Sequence, residues 1–225
     1  MNVTPVSVMM LVFAGLISSS LFAQAQTRVP LPRIIPSTTQ SIEERLLPGD
    51  DVVLLENDEI GADGVGIPTV NQMIDGLRKS SDAVVLAEVA AIAGALSMDG
   101  TRIYTRVSAK TIDVFVNRSP GNGIGPGKRL DFEITAGEIM LGDVLVKTRN
   151  VPQLRSGSVY LFFLDRPSAF GAFALTHPGL MVQNGRVTEA SEAWSGYVRQ
   201  NPLIGQSVAR IAARLRRQSG ANDVR

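Results

Sequence analysis

His177 is the only histidine of this 225-residue chain, and it stands in Thr176-His177-Pro178-Gly179, a loop-like setting where an imidazole could act as a general base. A base needs a nucleophile or a metal ligand at usable spacing, and none accompanies it, so it reads as a surface or turn histidine. Glu133 and Glu138 carry the chemistry of an acid–base pair, but sequence fixes no distance between them. Asp58, Asp63 and Gly64 have the composition of a calcium loop without its D-x-[DN]-x-[DN]-G spacing, and read as a solvated acidic face. Gly121, Gly123 and Gly125 imitate a phosphate-binding loop. Such loops lead into a helix, whereas Leu130, Phe132 and Ile134 continue this one as an alternating strand, so it reads as a strand connection. Cysteine is absent, which removes disulfides, thiol catalysis and thiolate metal sites together. The reading therefore assigns no catalytic, cofactor or metal residue.

Two sets of residues remain as candidates for binding. Tyr104, between Arg102 and Arg106, is an aromatic platform flanked by cations, the pattern that lets a sheet face hold a ligand. Its alternative is a cross-strand packing role. Arg210, Arg214 and Arg217 share one face of a helical pattern near the C-terminus. They read as a dock for an anionic lipid, polymer or protein, or as a solvated face with cations near a helix end. Net charge is only +1, so the global field gives no reason to expect nucleic acid.

The elements that must position these residues follow from punctuation and periodicity. Residues 1–25 carry no charged side chain, are apolar from Val8 to Phe22 and end in Ala23-Gln24-Ala25, the pattern of a cleavable export signal, with an uncleaved membrane anchor as the alternative. Residues 26–69 are first proline-rich and then acidic, and read as a linker, although Val52-Val53-Leu54-Leu55 could lie against a domain. Thr69 and Gln72 have capping-box spacing, and Val70, Met73, Ile74 and Leu77 predict a short amphipathic helix over 70–79. Apolar Ala83 to Ile92, a turn at Met98-Asp99-Gly100 and alternating Arg102 to Val116 predict a long hairpin. The apolar set moves from odd numbers at Ile103 to Ala109 onto even numbers at Ile112, Val114 and Val116, which predicts a bulge or bend near Lys110 and Thr111.

Val159-Tyr160-Leu161-Phe162-Phe163-Leu164 predicts a strand buried on both faces, and Asn184-Gly185 a tight hairpin turn. Beyond Thr188 the pattern turns helical: Trp194, Tyr197 and Val198 predict one short helix, and Asn201-Pro202 with Ile204, Val208, Ile211 and Leu215 a second. The domain expectation is 70–188, with a helical tail at 189–225.

The order helix, long hairpin, glycine-rich loop, two strands and a buried strand resembles an OB-type barrel. Ser81-Asp82-Ala83-Val84-Val85, Arg102-Ile103-Tyr104-Thr105 and Gly157-Ser158-Val159-Tyr160-Leu161-Phe162-Phe163-Leu164 are similar to exported bacterial proteins with a netrin-like, or metalloproteinase-inhibitor-like, barrel. The resemblance covers roughly Val70 to Val187, and its motifs are mainly fold-determining. It implies a mainly β (α+β) fold: a small five- to six-stranded OB-like antiparallel barrel, a preceding short helix and C-terminal helices. The inhibitors' amino-terminal cysteine is missing here, so no inhibitory residue carries over. The expected function is an exported, periplasmic or extracellular, noncatalytic binding or assembly module for a protein or envelope polymer. The alternatives are an envelope hydrolase, and membrane contact or self-association through the C-terminal helix.

Overall fold

A computed structural model describes residues 32–36, 38–56, 68–119, 121–148, 153–165, 173–175, 177, 179–190 and 201–217. The export-signal pattern, the acidic Asp58 to Gly64 stretch and the Trp194 to Val198 helix lie outside the described residues. In chain order the elements are β1 (Arg33–Ile35), a 3-10 turn (Glu43–Arg45), β2 (Val52–Leu55), α1 (Val70–Ser80), β3 (Ala83–Leu96), β4 (Ile103–Asn117) and β5 (Arg129–Ile134). They continue with β6 (Glu138–Leu141), β7 (Val144–Thr148), β8 (Val159–Asp165), β9 (Phe173–Leu175), β10 (Leu180–Gln183), β11 (Arg186–Ala190) and α2 (Val208–Arg217). The described chain is thus mostly β, in two sheets with two helices.

The expected hairpin is β3 and β4, paired from Ala83↔Asn117 to Leu96↔Ile103. It anchors the larger sheet, ordered β11-β10-β8-β3-β4-β5-β9. β9 pairs in parallel with β5 and antiparallel with β8, so the pairings β8-β3-β4-β5-β9 return to the strand they started from. The glycine-rich loop joins β4 to β5, as a strand connection should, and is pinned by Gly127 N donating to the Thr111 carbonyl at 2.7 Å.

Alternation on β8 explains its unbroken apolar run. Tyr160, Phe162 and Leu164 pack with Val85, Ala87, Val107, Ala109, Leu130 and Phe132, whereas Leu161 and Phe163 point into a second cluster with the helices. That second cluster is built from Met73, Ile74 and Leu77 of α1 and Val208, Ile211, Ala212 and Leu215 of α2, laid over Val84, Phe115 and Val116. Both halves of the expected capping box form: Thr69 Oγ1 accepts from Gln72 N at 3.3 Å, and Thr69 N donates to Gln72 Oε1 at 2.9 Å.

The predicted change of face on β4 comes later than expected. Burial stays on odd numbers through Thr111, and Ile112 is 45% exposed. The register slips at Ile112 and Phe115 on β4 and at Ala90 on β3, so the bend is spread over three irregularities. The second C-terminal helix also starts later than Asn201-Pro202 suggests. Asn201 Oδ1 accepts from Leu203 N at 2.9 Å, which makes a turn, and Ser207 Oγ accepts from Arg210 N at 3.2 Å at the start of α2. Leu203 is buried in place of Ile204, which is 38% exposed.

Part of the stretch read as a linker is strand. β1 pairs in parallel with β2, and β2 in parallel with β7, forming a four-stranded sheet ordered β1-β2-β7-β6. Ile35, Ile42, Val53, Leu55 and Val146 make its core, and Ile103 of the hairpin joins them. The apolar Val52 to Leu55 run, surrounded by acidic and proline residues, supplies the burial that holds it.

The loop before β2 is tied by Arg33, which donates to both carboxylate oxygens of Asp50 at 2.9 and 2.6 Å. That guanidinium, with the Leu47 backbone N–H at 2.8 Å, holds the Asp50 carboxyl well below its ordinary value, at about 2. A depressed acid stabilises the fold above its unfolded-state pKa and loses that contribution as pH falls through the folded-state value. Thermal melts of Asp50→Asn and the parent protein are therefore expected to differ at pH 6 and to converge as pH falls from about 4 to about 2. A gap that stays constant over that window would show that the pair contributes nothing to folding.

Candidate functional site

The outer face of β4 and β5 is set by the same alternation that fills the interior. Val107, Ala109, Leu130, Phe132 and Ile134 point inward, so Tyr104, Arg106, Ser108 and Lys110 share the opposite face with Arg129, Asp131 and Glu133. Ala91, Ala93 and Ala95 of β3 extend this face beside Ser108, Arg106 and Tyr104. Arg102, at the end of the turn, falls on the same side by parity and is exposed. The structure thus brings Arg102, Tyr104 and Arg106 to one surface, with Tyr104 half-buried.

The turn beside Arg102 is internally satisfied. Asp99 Oδ1 accepts from Ser97 Oγ at 2.5 Å, from Thr101 N at 3.1 Å and from Thr101 Oγ1 at 2.8 Å, which lowers its pKa to about 2. Charge on the open face is largely matched: Arg106 meets Glu133 at 3.1 Å and Arg129 meets Asp131 at 2.9 Å. Among the described residues Arg102 makes no ion pair.

Arg210, Arg214 and Arg217 also converge. With Asn71 and Ile74 of α1 they line a cleft of about 240 Å³ between the two helices. Arg214 is clamped by Asp75 through two bonds of 3.0 and 2.6 Å, and that carboxylate raises its pKa further. Arg210 donates to Gln206 Oε1 at 3.2 Å, and Arg217 to the Ala213 carbonyl at 3.3 Å. The neighbouring Arg216 faces elsewhere: it pairs with Asp113 at 2.8 Å and lies 5.3 Å from the centre of the Phe115 ring.

The remaining candidates do not meet at one place. Glu133 lies on β5 and is engaged by Arg106, whereas Glu138 opens β6 in the other sheet, opposite Lys147. His177 is not at the surface, as its loop setting suggested. It is buried, edge-on to Phe163 with ring centres 5.7 Å apart, because Phe163 projects from the helix-facing side of β8. Among the described residues no group of three or more histidine, aspartate or glutamate side chains could hold a metal ion. No helix among them is long and apolar enough to cross a membrane.

No protein-family model matches the chain, and no curated protein matches it either.

Proposed function

We propose that this chain is an exported, noncatalytic binding or assembly module built on an OB-type barrel, with the outer face of β4 and β5 turned towards its partner. The strand order supports the barrel reading, since the pairings close through β9 and the closing pair with β5 is parallel. The observation that carries the functional reading is the division of the sheet's outer surface. One flank is buried beneath α1 and α2, and the other leaves Arg102 and Arg106 exposed on either side of half-buried Tyr104. A covered flank leaves the open one to meet a protein or envelope polymer, and a half-buried tyrosine between cations is a rigid anchor for such a contact.

Immobilised full-length protein is expected to retain a component of envelope extract, or purified peptidoglycan. The triple variant R102A/Y104A/R106A should weaken that retention by about tenfold or more while leaving the melting curve within a few degrees of the parent. Undiminished retention by the triple variant would reject this face. Turnover of a defined envelope substrate by the parent protein would reject the noncatalytic reading itself.

A further inference from the structure

We infer that the cleft between α1 and α2 is a binding site for a phosphate ester, held by Arg210 and Arg217 on either side of an internally neutralised Arg214. The three arginines stand at i, i+4 and i+7 on α2 and so project from one face, while Val208, Ile211, Ala212 and Leu215 fasten the helix to the sheet. Their positions along the cleft are therefore set by the buried stripe of the same helix. The two outer arginines are rooted seven residues apart, roughly 10 Å along the helix axis.

Charge balance then separates the three. Asp75 occupies Arg214, the middle one, with a two-point contact. Among the described residues neither Arg210 nor Arg217 has a carboxylate partner, and the hydrogen bonds they make are to neutral oxygens one turn back on their own chain. The cleft thus holds three cations against one anion, and the Asn71 side chain adds a neutral hydrogen-bonding group on its other wall. Guanidinium groups are planar forks that match the spacing of oxygens on a tetrahedral oxyanion, and they are less strongly hydrated than ammonium groups. A volume of about 240 Å³ is smaller than the space a drug-sized ligand occupies, so the fit is to one phosphate with its immediate ester group. Asp75 is then a competitor: its carboxylate already fills the Arg214 fork that an incoming phosphate would otherwise use.

This site lies on a different flank from the β4–β5 face and stands or falls without it. Two sources offer the same chemistry, a soluble phosphate ester and an anionic lipid headgroup, and both can be presented to the full chain. Titration with glycerol phosphate, followed by amide chemical shifts, is expected to give saturable binding. R210Q/R217Q should weaken it by about tenfold or more. Arg216→Gln, a comparison for loss of one positive charge elsewhere on the same helix, should leave it unchanged, and Asp75→Asn should tighten it severalfold by releasing Arg214. Cosedimentation with vesicles of phosphatidylcholine, with or without phosphatidylglycerol, identifies the source. Retention by the phosphatidylglycerol vesicles at concentrations where free glycerol phosphate is weakly bound points to a headgroup, and equal affinity points to a soluble ester. Absence of saturable binding to either probe overturns the site. So does a loss in Arg216→Gln matching that of the double variant, or weaker binding by Asp75→Asn in protein that keeps the parent's circular dichroism spectrum.

Discussion

Alanine at Gly94 is expected to destabilise the protein by about 2–4 kcal/mol, although the substitution adds a single methyl group to an exposed stretch of β3. The reason is on the other face of the hairpin. A Cβ at position 94 would lie 1.9 Å from the carbonyl oxygen of Glu138 and 3.1 Å from its carbon. Those are backbone atoms at the start of β6, so no side-chain rotation relieves the clash. The same crossing is tight at Gly137, where a Cβ would stand 2.6 Å from Thr105 Oγ1 and 3.2 Å from the Tyr104 carbonyl carbon. Gly94 faces Thr105 across the hairpin, so the two glycines sit at one junction where the smaller sheet meets the larger. Urea denaturation measures the loss, and hydrogen exchange should show β6 and β7 opening before β3 and β8. A change of less than about 0.5 kcal/mol would mean that the close approach is not maintained in solution.

Phe162→Ala should cost about 3–5 kcal/mol, the range for removing a large aromatic ring from a packed interior. Phe162 is fully buried, with the Phe132 ring 4.7 Å and the Tyr160 ring 5.5 Å from its own. Gly179 closes over it so tightly that a Cβ there would lie 2.8 Å from Cε1. The backbone on that side is already in contact, and the rings on the other side hold one another, so little can move in to fill the space. Tyr160 adds a polar anchor, its hydroxyl accepting from Arg155 N at 3.0 Å. Phe162→Leu keeps most of the volume and should lose much less. If both variants unfold at the parent's urea midpoint, this cluster is not the structural centre that its burial indicates.

What could be read from the sequence depended on how many residues carried each signal. The six apolar residues at Val159 to Leu164 announced a strand covered on both sides, and β8 does feed two clusters. Asn184 and Gly185 announced a tight turn and adopt φ of 50° and 72°, the left-handed pair that joins β10 to β11. β1 has three residues, too few for a period, and β2 stands among prolines and acids that dominate its local composition. Ile112 misled because hydrophobicity alone cannot tell a bulged residue from an inward one, and the partner strand decides which it is. The arginine face of α2 was visible as spacing. Its clamp was not, since Asp75 lies on another helix 139 residues away in sequence. The same limit hid the burial of His177, which is fixed by a phenylalanine on a different element.

The parallel pairing of β2 with β7 has a kinetic consequence. Val53 and Val146 are roughly ninety residues apart in the chain, and loop closure over that distance delays their pairing. The hairpin can zip up from its own turn long before then. Refolding should accordingly run in order, the long ribbon early and the amino-terminal segment last, so that Val52 to Leu55 is the stretch left waiting to dock on β7 while the rest has already condensed.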